Sequence, residues 1–273
     1  MNRAKVLISI ILVLVAGLTT TGYVLANPSS GFRETNGEAF DDWDICRTRG
    51  TGKDGFYQMS RTGFRPVIAF ESLGENSALA YELGEQMAQK YPDQTQRAEA
   101  VFYFVRDRVR YAPDKDLFEY DEFAQNADEL ATTIDEDGIG YGDCEDTAVL
   151  LAVLYKGAGY RSAIALVPGH TAALVYLPGY EKTPTVLEID GEPGWLWAEA
   201  TGNKNPLGWV PKEFINTELA AYEISAEAIA PLKPPEAPST AVTKTGQGGT
   251  SLPFPFMGII GLLWLISLFR RKR

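Results

Sequence analysis

The sequence predicts an α+β fold in which one buried helix precedes an antiparallel sheet. The helix is indicated by residues 144–160, where an acidic first turn leads into nine consecutive apolar or near-apolar positions and Gly157 and Gly159 end the run. A helix that is apolar on every side has to be buried. Four short segments follow, each rich in apolar or β-branched residues and bounded by proline or glycine, which predicts strands joined by tight turns: "RSAIALVPG", "TAALVYLPG", "TPTVLEID" and "GWLWAEATG".

The region before the buried helix is expected to be helical and then irregular. Apolar residues recur at helical spacing over 77–91 and 93–111, and Pro92 separates these two predicted helices. The segment 112–141 is acidic and aromatic, with one helical turn expected around 127–134. Its aspartates do not follow the spacing of an EF-hand loop, so calcium is possible but has no motif, and we expect no cofactor or metal.

Both ends of the chain have the pattern of membrane segments. Residues 1–26 combine a basic start with an apolar run, which is typical of a secretory signal peptide, and an uncleaved anchor is the alternative. Residues 252–269 are apolar and residues 270–273 are all basic, which predicts a transmembrane helix with a cytoplasmic basic end. A buried terminal helix and processing of this tail stay open. The domain between the two ends is expected to be exported and anchored in the cell membrane, with its folded part outside.

The sequence between those ends divides into three parts. Residues 27–59, rich in glycine and acids, are expected to form an N-terminal extension. The folded domain should cover about 60–225. Residues 226–251 are rich in proline, threonine, serine and glycine without a periodic apolar face, which predicts a stalk.

The charge of the predicted exported part excludes several partners. The two ends hold no acid and six of the 25 lysines and arginines, so residues 27–251 carry 19 cations against 36 acids, a net charge of −17. Such a surface repels nucleic acid phosphates and anionic lipid headgroups. We therefore expect cationic or neutral partners, no nucleic acid partner, and membrane contact only through the C-terminal helix.

Cys144 is the candidate nucleophile. It stands at the start of the predicted buried helix, where free backbone N–H groups and the helix dipole favour an anion and can lower a thiol pKa. Gly140 and Gly142 precede it, and we interpret them as clearance for a substrate backbone. The flanking acids, Asp143, Glu145 and Asp146, oppose the thiolate, so a basic partner is needed.

That partner is predicted to be His170, which is the only histidine in the chain. It lies 26 residues after Cys144, about the separation of one helix, a turn and one strand, and it opens the next predicted strand, so the two can meet as an activated thiol and its general base. Glu199, on a later strand, can orient the imidazole; Asp190 and Glu188 are weaker candidates for this role. Taken alone, a cysteine or a histidine is more often structural than catalytic, and the argument depends on their combination.

The segments around these residues resemble a known family. The runs "GDCEDTAVLLAVLYKGAGY", "PGHTAALVY" and "WAEATG", with flanking similarity over about 93–215, are similar to the transglutaminase-like domain of the papain-like superfamily. The resemblance implies a papain-like core, with the cysteine helix packed on the sheet, and a triad of Cys144, His170 and Glu199. Glu199 departs from the family's usual aspartate. Members include protein cross-linkers, amidases and cysteine proteases that form a thioester.

Two questions stay open at this stage. Cys46 could form a disulfide with Cys144 and block its reactivity, although a free or peripheral Cys46 is favoured because it lies outside the region of resemblance.

The function could be that of a thiol enzyme acting on protein or peptide amide bonds, with hydrolysis favoured over amine transfer. The alternative is a non-catalytic surface domain that binds a partner through residues 112–141.

Overall fold

The structure is a computed structural model that describes residues 31–59, 64–74, 79–225 and 239–245. The predicted signal peptide, the predicted C-terminal transmembrane helix and its basic end lie outside these residues. Within the described part, none of the helices has the length and apolar character needed to cross a membrane. The secondary structure confirms the α+β class, with a helical layer beside an antiparallel β-barrel.

In the described residues, six helices form the helical layer. Asp93 caps α3 by accepting a hydrogen bond from the Gln96 N–H at 2.8 Å, and Asn126 and Glu129 form a capping box at the start of α5. The two helices predicted upstream are confirmed with shorter bounds, and the single turn predicted near residue 127 is a full helix of three turns. The helices are α1 (Val67–Phe70), α2 (Ala80–Lys90), α3 (Gln94–Arg108), α4 (Asp114–Phe118), α5 (Ala127–Asp137) and α6 (Cys144–Gly157).

The strands form three sheets. β1 to β5 make one sheet in chain order, β6 pairs in parallel with β7, and the remaining six close an antiparallel barrel in the order β10-β11-β9-β8-β12-β13. The four strands predicted after the cysteine helix are β8 to β11. The strands are β1 (Arg33–Thr35), β2 (Glu38–Phe40), β3 (Cys46–Gly52), β4 (Gly55–Met59), β5 (Phe64–Pro66), β6 (Val109–Tyr111), β7 (Gly140–Gly142), β8 (Ser162–Val167), β9 (His170–Tyr176), β10 (Thr185–Ile189), β11 (Glu192–Ala198), β12 (Glu218–Glu223) and β13 (Ser239–Thr245).

Helix α6 lies at the centre of the fold, against α2 on one side and β9 on the other. Almost all of its residues are buried, as its uninterrupted apolar sequence predicts. The backbones of α2 and α6 touch where Gly84 meets Gly157. A Cβ atom at Gly84 would lie 2.3 Å from the Leu154 carbonyl oxygen, so no larger residue fits there. This close contact fixes the position of α6.

Strands β8, β9 and β11 are buried on both faces. Along β8, Ala163 and Ala165 point into the barrel interior, whereas Ile164 faces the core around α6. In β11 the two tryptophans lie inside the barrel and Leu196 faces α6. Strands covered on both faces have continuous apolar runs rather than alternating ones. This explains why these three predicted segments lack a polar face.

Two of the predicted domain boundaries are wrong. The N-terminal extension is part of the fold, because β3 and β4 place the buried side chains of Phe56 and Tyr57 in the same core as α6. Within the predicted stalk, residues 239–245 form β13, which pairs with β10 and β12 and closes the barrel. Its β-branched residues, "STAVTKT", suit a strand, but the proline and glycine on either side obscured that signal. The rest of the stalk segment lies outside the described residues.

A buried arginine ties the N-terminal sheet to the helices. Arg47, in β3, donates to Asp41 at 2.6 Å and to Glu71 and Glu129 at 2.8 Å each. It also donates to the carbonyl oxygen of Ala124 at 2.9 Å. The side chains of Arg47, Asp41 and Glu71 are completely inaccessible to solvent. Burial alone would lower the pKa of Arg47, but the carboxylates around it raise this pKa, so the guanidinium stays charged.

We expect the substitution Arg47→Leu to lower the free energy of unfolding by roughly 3 to 5 kcal/mol, because it leaves buried carboxylates without their cation. Urea unfolding followed by circular dichroism measures this change. The matched control is Arg49→Leu, two residues along the same strand, whose partly exposed ion pairs with Glu38 and Asp54 should contribute at most about 1 kcal/mol. Equal losses in the two variants would contradict the central role given to Arg47.

Candidate active site

Cys144 is the first residue of α6, directly after the short strand β7. The thiol is partly exposed, and it donates a hydrogen bond to Glu145 Oε2 at a sulfur–oxygen distance of 3.3 Å. The adjacent helix turn is held by the Thr147 hydroxyl, which donates to the Asp143 carbonyl oxygen at 2.9 Å. The predicted position of the thiol at the start of a buried helix is therefore confirmed.

The interpretation of the two preceding glycines is wrong. A Cβ atom at Gly142 would lie 2.5 Å from Asp146 Oδ2, and one at Gly140 would lie 2.6 Å from Leu130 Cδ1. Both glycines are required by contacts inside the protein. Gly142 lets β7 approach the buried Asp146 carboxylate and does not clear space for a substrate.

His170 and Glu199 meet at one end of the barrel. His170 opens β9, and Glu199 directly follows β11. Because Ala198 pairs with Ala173, Glu199 comes level with Ala172, on the same face as His170. The Nε2 atom of His170 makes a hydrogen bond with Glu199 Oε2. The structure thus brings the predicted base and the predicted acid together.

Two further contacts fix this pair. The Phe214 ring stacks on the imidazole of His170 with a centroid distance of 6.0 Å and an interplanar angle of 6°. Trp197 stacks on it less closely, at 6.4 Å. The other oxygen of Glu199 accepts hydrogen bonds from the Thr201 hydroxyl and from the Thr201 N–H, the latter at 3.1 Å. Hydrogen bonds therefore hold both carboxylate oxygens of Glu199, which fixes a side chain that is longer than an aspartate.

The Cys144 thiol lies close enough to the imidazole to affect its pKa. Burial lowers the pKa of His170, but its interactions with Cys144 and with Glu199 raise it to about 10. Burial raises the pKa of Glu199, and its bonds to His170 and Thr201 outweigh that effect and lower it. Since Nε2 is bonded to Glu199, Nδ1 is the ring nitrogen left for the thiol. At neutral pH this arrangement favours an imidazolium between two acidic groups.

The weaker candidates for the orienting acid lie elsewhere. Glu188 is in β10, and Asp190 is in the tight turn after it, with a left-handed φ of 50°. The hydrogen bond to the imidazole comes from Glu199. Of the three acids considered, only Glu199 has the position that an orienting residue needs.

Sequence reasoning missed two groups at the site, Tyr57 and Asp114. The Tyr57 hydroxyl is buried without a hydrogen-bond partner, and burial together with the nearby charge of Glu145 raises its pKa. Burial raises the pKa of Glu145 well above its usual value, raises that of Asp146 to about 7 and that of Asp114 to about 8. Tyr57 and Asp114 come from segments far from Cys144 in sequence, and no local pattern connects them to it.

Cys46 does not pair with Cys144, and both cysteines are free. Cys46 is fully buried in β3, with its sulfur 3.6 Å from the Thr48 hydroxyl oxygen. The preference for a free Cys46 is therefore confirmed, but its expected peripheral position is wrong, because β3 belongs to the folded domain.

Fold and site together define an α+β protein in which a cysteine at a helix start, a strand histidine and a glutamate meet at the edge of a β-barrel. Comparison with protein families agrees: residues 81–213 match the model of the transglutaminase-like superfamily, and the chain carries a domain of this superfamily. This superfamily includes cysteine-dependent enzymes. No curated protein matches the chain significantly. The matched region contains all three candidate residues and begins after Cys46, Arg47 and Tyr57.

The single histidine makes its ionisation directly measurable. In protein purified without a histidine tag, the imidazole NMR signals of His170 should titrate near pH 10 rather than near 6.5. In Glu199→Gln the midpoint should fall, because the stabilising carboxylate is lost while burial remains. The raised pKa also predicts stability from this ion pair that is complete below about pH 6.5 and is lost as the pH rises through 10. The exposed Glu181→Gln is the control, and an unchanged midpoint in Glu199→Gln would contradict the pairing.

The two cysteines should differ sharply in reactivity. Without reductant, iodoacetamide should label Cys144 in the native protein, whereas Cys46 should be labelled only after unfolding because it is fully buried. Peptide mapping by mass spectrometry after timed alkylation measures both rates. Recovery of a peptide joined through Cys46 and Cys144 would show the disulfide that the structure lacks.

Proposed function

We propose that this protein is a thiol enzyme that cleaves amide bonds of proteins or peptides through an acyl-enzyme. Cys144 is the nucleophile, His170 the general base and acid, and Glu199 the residue that orients the imidazole. The observation that carries this proposal is the position of His170, which is hydrogen-bonded to Glu199 and whose pKa is raised by both Glu199 and Cys144. A histidine kept only for packing does not need an acid on one side and a thiol on the other.

The chemistry follows from this arrangement. The thiol proton passes to His170, and the thiolate attacks the carbonyl carbon of the substrate amide. The negative charge on the substrate oxygen can be stabilised by the backbone N–H of Cys144, at the positive end of α6. The C–N bond breaks as the imidazolium donates its proton to the leaving amine, and a thioester remains on Cys144. Water, deprotonated by His170, then attacks the thioester and releases a carboxylic acid and the free thiol.

Hydrolysis is proposed rather than transfer to an amine. Water always competes for a thioester, and no site for an acceptor amine is needed for the reaction to turn over.

An extended peptide is supported as substrate by the surface beside the thiol. Tyr141 lies three residues before Cys144 and Tyr111 lies on the neighbouring strand, and both rings are exposed. Exposed aromatic side chains at a reaction centre suit contacts with the side chains of a bound peptide.

We also propose that the enzyme acts outside the cell, attached to the membrane. This proposal is supported by the apolar segments at 1–26 and 252–269 and by the basic residues 270–273. The strongly acidic composition between those segments favours neutral or cationic substrates over nucleic acids and anionic lipid surfaces.

The substitution Cys144→Ala should abolish cleavage of a fluorogenic peptide library and prevent covalent labelling by peptide thiol-reactive probes, because the thioester cannot form. The matched control is Cys46→Ala, which removes the other cysteine and should retain activity once circular dichroism confirms its fold. Cleavage of the fluorogenic peptides by the Cys144→Ala protein would contradict the proposal. A wild-type protein that neither cleaves nor reacts with such probes, yet binds a surface protein, would support the non-catalytic alternative instead.

A further inference from the structure

The candidate active site lies at the end of the barrel where the last described strand also ends. His170 opens β9, and Glu199 directly follows β11. Strand β11 is antiparallel to both β9 and β10, and β13 is antiparallel to β10. Thr245, the last residue of β13, pairs with Thr185 at the start of β10. The start of β9, the end of β11 and the end of β13 are therefore at the same end of the barrel.

The chain between this exit and the apolar C-terminal segment is short. Leu252, which begins that segment, is the seventh residue after Thr245. A fully extended chain covers about 3.6 Å per residue, so the two residues are at most about 25 Å apart. Strand β10 lies between β13 and β11, and neighbouring strands are about 4.8 Å apart, so about 10 Å separates the exit strand from the strand that leads to Glu199. With residues 252–269 in the membrane, as proposed above, the active site would lie close to the lipid surface.

An exposed tryptophan lies at the same end of the barrel. Trp209 has 41% of its surface exposed, although tryptophan is highly buried on average. Gly208, the residue before it, donates its N–H to the Trp197 carbonyl oxygen at 2.9 Å. The carbonyl oxygen of Gly208 accepts the Thr183 hydroxyl at 2.8 Å. These two bonds hold Trp209 between the end of β11 and the start of β10.

The loop that carries Trp209 differs in charge from the rest of the domain. Residues 200–212 contain no acid and two exposed lysines, Lys204 and Lys212, whereas residues 27–251 carry 19 cations against 36 acids. Tryptophan and lysine both suit the membrane–water interface, where the indole ring lies at the level of the headgroups and the ammonium group meets lipid phosphates. This loop, unlike the acidic surface elsewhere, therefore suits contact with lipid headgroups.

We propose that the active-site end of the barrel faces the membrane and that the enzyme cleaves polypeptide segments close to the lipid surface. This inference rests on the proposed anchoring and hydrolysis, and it names the substrate class: the outer segments of membrane-attached proteins, next to their point of attachment. The exit of β13 limits how far the site can move from the lipid. The loop at 200–212 supplies the surface that contacts the headgroups.

The short connection makes the position of the scissile bond important. Enzyme and substrate in one membrane meet as two tethered partners, and their effective concentration is high only when the tethers can span the distance between the sites. Because at most about 25 Å of chain is available to the enzyme, scissile bonds within about that distance of the lipid are favoured. A longer connection should relax this limit.

The orientation is tested by energy transfer in phosphatidylcholine vesicles, using the full-length Cys144→Ala protein so that the result does not depend on activity. A donor dye is attached at Lys212→Cys or, as the matched control at the other end of the barrel, at Pro193→Cys, both exposed positions. The acceptors are on lipid headgroups. The dye at 212 should lie about 20 Å closer to the headgroups, roughly the length of the seven-residue strand β9. Equal distances, or protein that does not float with the vesicles, would overturn the inference.

The substrate class is tested with a peptide that the wild-type protein cleaves, attached to vesicle lipids. Polyproline spacers place its scissile bond about 15 Å or about 75 Å from the lipid. Cleavage of the near site should be at least about tenfold faster. Inserting about 20 glycine and serine residues after Gly249, which adds about 25 Å, should reduce this difference.

Equal rates at the near and far sites would contradict the substrate class. Failure of the wild-type protein to cleave any peptide would contradict the proposed hydrolysis instead, and the energy-transfer result in Cys144→Ala would still decide the orientation. Failure of this inference and failure of the proposed chemistry are therefore distinguishable.

Discussion

The burial of α6 is the constraint on which the rest of the structure depends. The helix is apolar all round, so it requires cover on every side, and α2, α3, α5 and the barrel strands β8 and β9 supply that cover. Within the helix only Cys144, in the first turn, and Lys156, in the last turn, are partly exposed. The same burial that stabilises the domain therefore also holds Cys144 on an element that cannot shift without disturbing the core.

Sequence reasoning worked where local patterns carry physical information. The apolar run with its terminal glycines predicted α6, and β-branched segments between turns predicted β8 to β11. The meeting of His170 and Glu199 also follows from simple strand alternation, once the register of β9 and β11 is known. That register is a long-range property, which is why Asp190 and Glu188 could not be set aside from sequence alone.

The failures have a common physical origin in non-local contacts. Residues 27–59 have the composition of a polar extension, yet Arg47 anchors them to Glu129 of α5 and to the Ala124 carbonyl oxygen in the segment before it. β13 is flanked by proline and glycine, and it is stabilised by the two strands on either side rather than by its own sequence. The glycines before Cys144 were assigned to substrate because their actual neighbours, Asp146 and Leu130, could not be known.

The acids around Cys144 oppose its thiolate form, and the proposed triad offsets this effect only in part. Helix dipole and imidazolium both stabilise a thiolate, while Glu145 and Asp146 lie within the first turn of the same helix and oppose it. Asp146 is satisfied by two hydrogen bonds from Gln125, but Glu145 keeps one buried oxygen without a partner. The Asp146 carboxylate also accepts the Asp143 N–H at 3.2 Å, so the acid that opposes a thiolate also stabilises the start of α6.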